Sequence, residues 1–216
     1  MKKLYVFLLA VLSLAMFMPG CSSTNSMGNP NQNMANIKLK ELKKAGWEVY
    51  GTTKTLEMVL MEFYQKLESE DAIEVVGEAT STSKQLGSTS ALQAAQSKYA
   101  QSASSYLEGR VESDLSNELK DGDMKELQKL LASYKTQLGK EMNGQVKAGF
   151  YLARRVGKNS QGRDIYEVQC YCIVDESAAS LARQRALVMS ARENDLASKY
   201  GTRLSDYVKE SVRMID

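Results

Sequence analysis

Three cysteines carry the reactive chemistry open to this 216-residue chain: Cys21, and Cys170 and Cys172 on either side of Tyr171. Histidine is absent. That excludes Ser-His-Asp and Cys-His triads, every His-containing zinc site and the commonest general base. A Cys-x-Cys pair without histidine or further cysteines cannot close a zinc site either, so no metal or other cofactor is expected. On a strand, residues i and i+2 point the same way with Cα atoms roughly 6.5–7 Å apart, at the limit of disulfide reach. Two readings of Cys170 and Cys172 stay open: core thiols, or a strained or redox-active pair. The second needs a nearby cation or helix N-terminus to lower one thiol pKa.

Cys21 stands at the end of an export signal. Lys2 and Lys3 form a positive start, Leu4 to Met18 an apolar run broken by Ser13, and Pro19-Gly20 leads into the cysteine. The run is about 15 residues, short of the roughly 20 that a permanent membrane-crossing helix needs. Met18-Pro19-Gly20-Cys21 resembles a lipobox, with Met18 and Pro19 departing from the usual residues. The resemblance implies cleavage before Cys21, a diacylglycerol thioether on its thiol and acylation of the freed amine. Residues 1–20 are then a lipoprotein signal peptide, and the membrane is the first partner, held through lipid on Cys21. Two or three acyl chains suffice for stable attachment at about 0.8 kcal/mol per buried CH₂. By resemblance to known sorting signals, Ser22 favours the outer membrane, and the lack of acids in the residues that follow favours its periplasmic side. Residues 21–36 read as the lipidated cysteine and a disordered tether, polar and uncharged, spanning roughly 20 Å on average.

The formal charge of +2 comes from Lys2 and Lys3, which leave with the signal. Without them the 28 basic residues become 26, matching the 26 acidic ones. A neutral, mixed surface gives no electrostatic reason to bind nucleic acid. Both prolines, Pro19 and Pro30, precede the expected fold, and residues 37–216 read as a single domain.

Three further candidates have structural readings beside the functional ones. Arg183, Arg185 and Arg192, with Arg154 and Arg155, can form a basic surface; charge balance favours a solvated helix face paired with Glu176, Glu193 and Asp195. Asp121-Gly122-Asp123 is similar to part of a calcium loop, but positions five and twelve fall on Lys125 and Ala132, so a turn with an aspartate cap is read. Trp47 reads as a core residue on a strand.

The elements that position these residues follow from periodicity. A lysine-rich helix is expected over Asn36–Ala45, a strand over Gly46–Gly51, and a helix after Thr52 or Thr53 that buries Leu56, Val59, Leu60, Phe63, Tyr64 and Leu67. A strand over Ile73–Ala79 leads through a Ser/Thr loop, Thr80–Ser90, into a long Ala/Ser-rich helix from Thr89 to Lys120. Met124–Met142 is a helix with Leu127, Leu130, Leu131, Tyr134 and Leu138 on one side. Strands Val146–Val156 and Asp164–Asp175 form a hairpin. In the second, Tyr166, Val168, Cys170, Cys172 and Val174 share one face, and Ile165, Glu167, Gln169, Tyr171 and Ile173 the other. A final long helix, capped by Asp175 or Ser177, turns Leu181, Val188, Met189 and Leu196 to the core and is interrupted at Gly201. Together these predict an α+β fold: a small, mainly antiparallel sheet of about four strands packed against long helices on one face.

Gly77-Glu78-Ala79 leading into Ala91-Leu92-Gln93-Ala94-Ala95-Gln96, and on to Arg110-Val111, resembles the first strand and Ala-rich helix of LPP20-type lipoproteins. Gly46-Trp47-Glu48-Val49-Tyr50-Gly51-Thr52 to Leu56-Glu57 resembles an opening that recurs in Bacteroidetes-type lipoproteins. The resemblance covers about two thirds of the chain. It implies a non-enzymatic envelope protein, self-associating or acting in the assembly of a surface structure. The alternative is a periplasmic binding module for a small envelope ligand, held in a groove between the sheet and the Ala/Ser-rich helix.

Overall fold

The computed structural model describes residues 30–69, 71–115, 117–119, 121–192 and 195–210. The expected signal peptide, Cys21 and the first part of the tether lie outside them. In chain order the elements are α1 (Pro30–Lys44), β1 (Glu48–Tyr50), α2 (Leu56–Ser69), β2 (Ala72–Ser81), α3 (Lys84–Leu115), α4 (Asp121–Glu141), β3 (Val146–Lys158), β4 (Asp164–Asp175), α5 (Glu176–Ala191) and α6 (Asp195–Lys209). This is an α+β fold around one antiparallel sheet of order β1-β3-β4-β2.

Alternation along β4 builds the two layers. Val168, Cys170, Cys172 and Val174 face a large core shared with α3, α4, α5 and α6. Tyr171 and Ile173 face the other way, with Phe150 and Leu152 of β3, into a second core closed by α1 and α2. Helices therefore cover both faces of the sheet, not one. The polar start of this β4 face, Glu167 and Gln169, hides the apolar surface that Tyr171 and Ile173 provide beyond it. There Phe63 of α2 sets its ring edge-on to Phe150 at 5.3 Å and to Tyr171 at 5.8 Å, while Phe150 stacks on Tyr171 at 4.5 Å. Such pairs add roughly 0.5–1.5 kcal/mol each beyond the area they bury.

The layer begins earlier than the expected Asn36: α1 starts at Pro30, a residue suited to a first helical turn. Residues 30–36 of the expected tether are helical, and Ala35 and Leu42 are buried in the second core. Gly46 and Gly51, both at positive φ, bracket β1 as the sequence implies. Thr55, not Thr52 or Thr53, caps α2 by accepting the Met58 N–H at 3.3 Å.

The expected Ser/Thr loop is largely ordered structure. β2 runs to Ser81 and α3 starts at Lys84. Ser83 accepts the Leu86 N–H at 3.5 Å, and the Ser88 hydroxyl donates to the Lys84 carbonyl at 2.7 Å. Hydroxyls that read as loop formers are spent on helix caps and on carbonyls one turn back. Asp121-Gly122-Asp123 is likewise the first turn of α4. Gly201 lies inside α6; α5 ends at Ala191 and α6 begins at Asp195.

Gly77 lets α3 approach β2 until backbone nearly meets backbone. A Cβ there would overlap the Ala91 carbonyl oxygen and stand 2.9 Å from the Ala95 Cα. The space between sheet and Ala/Ser-rich helix is thus filled at this point. Gly77→Ala is expected to destabilise by about 3 kcal/mol or more, since rigid backbone cannot yield to the added methyl. Urea unfolding measures this; a loss below about 1 kcal/mol would contradict so tight a contact.

Candidate functional site

The fully buried side chain with the most chemistry is Arg183 of α5. It has no exposed surface. Its Nε donates to the Val208 carbonyl at 2.8 Å, and Nη2 donates to Glu176 Oε1 at 2.5 Å and to the Glu210 carbonyl at 3.0 Å. Nη1 donates to Glu176 Oε2 at 3.5 Å and to the Tyr99 hydroxyl. All five guanidinium N–H groups therefore have acceptors, the condition under which a charge is tolerated in a core. Burial pulls the Arg183 pKa down, but Glu176 and Tyr99 outweigh it and leave it above its ordinary value. Burial pushes the Tyr99 phenol up to about 12, although Arg183 opposes the shift. Tyr134 lies in the same field, its hydroxyl buried without a hydrogen-bond partner and its pKa raised by burial.

This corrects two readings of the final helix. Arg183 is not on a solvated face; Glu176 is its partner, but both are withdrawn from water. With Arg183 inward, the buried face of α5 is Ala179, Ala182, Ala186, Leu187 and Ser190. Leu181, Val188 and Met189, expected in the core, are 53%, 59% and 45% exposed. Arg185, Val188 and Arg192 are exposed on the same side. At 100° per residue these five side chains fall within an arc of about 100°, a stripe of three apolar groups and two arginines. The small residues Ala179, Ala182 and Ala186, at spacings of three and four, were the signal for the true inward face.

The five arginines do not meet. Arg154 and Arg155 sit on β3, paired with Glu167 at 2.6 Å and Asp164 at 2.9 Å. The Arg154 guanidinium also lies 4.6 Å over the ring of Trp47, which is half-buried beside the second core. Arg185 is 3.8 Å from Glu141. Glu193 and the side chain of Asp195 lie outside the described residues.

Cys170 and Cys172 share the inner face of β4, both buried and unbonded, with sulfurs 3.1 Å apart. The hydrogen bond from the Cys172 thiol holds Cys170 below its ordinary pKa; burial opposes this, and the Tyr151 hydroxyl adds a second bond. The same contact pushes Cys172 up. No cation is among the groups acting on either thiol. Among the described residues no group of three or more His, Cys, Asp or Glu side chains could hold a metal ion. Nor, among them, is any helix long and apolar enough to cross a membrane. Cys21 lies outside them.

Two open grooves lie near one another, the first against the edge strand β2 and the second on α3 alone. One, of about 720 Å³, lies on the outer face between α1 and the sheet, where Ile37, Tyr64, Val76 and Tyr171 meet Glu74 and Glu78. The other, of about 600 Å³, follows the flank of α3 past Ala94, Ser97, Gln101 and Ser102. Lys98 lines both. The chain matches no family model, no curated protein and no solved structure.

Replacing Arg183 by Met should cost about 3–5 kcal/mol, because Glu176 and two carbonyls lose their donor. Tyr134→Phe removes an unpartnered hydroxyl and should stay within about 1 kcal/mol of the parent, on the stabilising side. Denaturant midpoints of the two variants test the contrast; equal losses would contradict the network. A pH dependence follows from the tyrosines. Tyr64, Tyr99 and Tyr151 are held up to about 12 chiefly by burial. Unfolded tyrosines ionise near 10, so above that pH the folded state binds more protons and stability falls as pH rises. Thermal midpoints should hold steady up to about pH 9 with respect to these groups and drop between about 10 and 12.

Proposed function

We propose that this is a lipid-anchored cell-envelope protein, facing the periplasm from the outer membrane, with a non-enzymatic structural or protein-interaction role. The observation that carries the interaction role is the α5 stripe. Leu181, Val188 and Met189 expose apolar surface on a helix whose opposite face is pinned by Arg183. Large apolar groups gathered on one rigid face mark interaction sites. The only acid of α5, Glu176, is buried, so the stripe itself is basic and apolar. Its complement is a partner protein's surface with an apolar centre and flanking carboxylates, opposed to Arg185 and Arg192. The anchor rests on the signal pattern that ends at Cys21. Eight residues lie between Cys21 and Pro30, the start of α1, making nine Cα-to-Cα steps. At full extension they reach at most about 30 Å, so the anchored domain stays next to its bilayer.

Fractionation of cells carrying the full-length chain tests the anchor. The parent should sediment with membranes and Cys21→Ala should appear, folded, in the soluble fraction; a variant still in the membranes would overturn it. For the stripe, a photocrosslinker in place of Met189 in the intact envelope should give a discrete adduct. Arg185→Glu or Leu181→Glu should abolish that adduct, and Glu57→Lys on the opposite face of the sheet should leave it. No adduct, or one indifferent to the stripe, would sink the role given to α5.

A further inference from the structure

Independently of the α5 stripe, we propose that the open edge of β2 is a docking site for an extended segment of another protein, one carrying an apolar residue with basic residues two positions to either side.

The sheet has two edge strands. β1 is three residues long, whereas β2 runs ten residues and pairs only with β4 among the described residues. About half the N–H and C=O groups of such an edge point outward and pair readily with an added strand. Successive side chains of that strand point to opposite faces of the sheet. Here the outer face offers a groove beside the edge, lined by Ile73, Glu74, Val76 and Glu78 of β2 itself. Backbone pairing with separate pockets for alternate side chains is the geometry of strand addition.

The chemistry of the guest follows from β2. Glu74, Val76 and Glu78 share the outer face, and side chains directly opposite across a ladder interact most strongly. An apolar side chain opposite Val76 enters the groove beside Tyr64 and Tyr171. Its neighbours two positions away come opposite Glu74 and Glu78; Lys38 and Lys98 line the same groove, but the acids are the charges directly across the ladder. The field of these acids is felt locally: Glu74 raises the pKa of both Tyr64 and Tyr171, and Glu78 that of Tyr171, on top of burial. Gln169 gives a second sign of a missing partner. Its Nε2 donates to Glu78 at 2.6 Å while its Oε1 is buried without a donor. On the other face α3 packs backbone-to-backbone on Gly77, so only small side chains of the guest fit beside it.

A fluorescent peptide Thr-Arg-Thr-Val-Thr-Arg-Thr and the full mature chain test the site by anisotropy. Saturable binding is expected, weakened at least about tenfold by Glu78→Lys and unchanged by Arg185→Glu. Two further peptides, N-methylated either at the internal threonines or at the Arg and Val positions, test backbone pairing: one should bind like the parent and the other should not bind. Absence of saturable binding, equal binding of both methylated peptides, or equal binding of a peptide with Glu for Arg would each overturn the proposal. So would a dimer, seen by light scattering and crosslinked through Thr80→Cys, that the peptide does not dissociate; a second copy would then be the occupant.

Discussion

A guanidinium taken out of water must keep every N–H bonded and its charge opposed, and at Arg183 that requirement ties three helices together. Tyr99 brings in α3, Glu176 and Arg183 belong to α5, and the carbonyls of Val208 and Glu210 come from the end of α6 and the residue beyond it. None of these acceptors can shift far without stranding a donor, and an unpaired buried donor costs more than a typical hydrogen bond gains. The neighbouring apolar contacts, small alanines against α4 and the sheet, tolerate sliding far better. Alanine faces supply closeness, and the arginine supplies register. A well-packed apolar group of similar size can match such a pair in stability, but not in the directions it imposes.

Those directions decide what the outside of the helical layer looks like. Once Arg183 points inward, the α5 rotation is set, and the apolar side chains on the far side have nowhere to go but solvent. Leu181, Val188 and Met189 are exposed because a polar residue holds the place that hydrophobicity alone would have assigned to them. The surface is basic for the same reason, since the one acid of the helix is drawn inward as the counter-charge. Address and surface are separate matters in this molecule: a lipid on Cys21 would fix where the protein is, while the α5 face and the β2 edge are the surfaces proposed for its contacts.

The parts of the fold legible in the sequence are those where one physical signal dominates. β4 alternates strictly, and its inner face of Val168, Cys170, Cys172 and Val174 was readable residue by residue. Helices α2 and α4 carry leucines and aromatics at spacings of three and four, and Val59, Leu60, Phe63, Leu130, Tyr134 and Leu138 are buried as that pattern implies. Helix α5 misled because two patterns compete in it, large apolar residues on one side and alanines on the other, and a charged residue chose between them. The Ser/Thr stretch before α3 misled because hydroxyls suit a loop and a helix cap equally well. Neither groove was legible. The outer one arises from β2 being an edge, which depends on which strand pairs with which, and no local pattern in Ala72–Ser81 records that.

The α1–α2 layer has its partners far along the chain. Phe63 packs on Phe150 and Tyr171, roughly a hundred residues later, and little within its own neighbourhood can shelter it. A chain made N-terminus first presents this hairpin of helices long before β3 and β4 exist to receive it. Its aromatic side waits, exposed, until the last third has been synthesised. Closing the molecule's first segment onto the sheet therefore has to wait for β3 and β4, and until then Phe63 and Tyr64 are what a holding chaperone would meet.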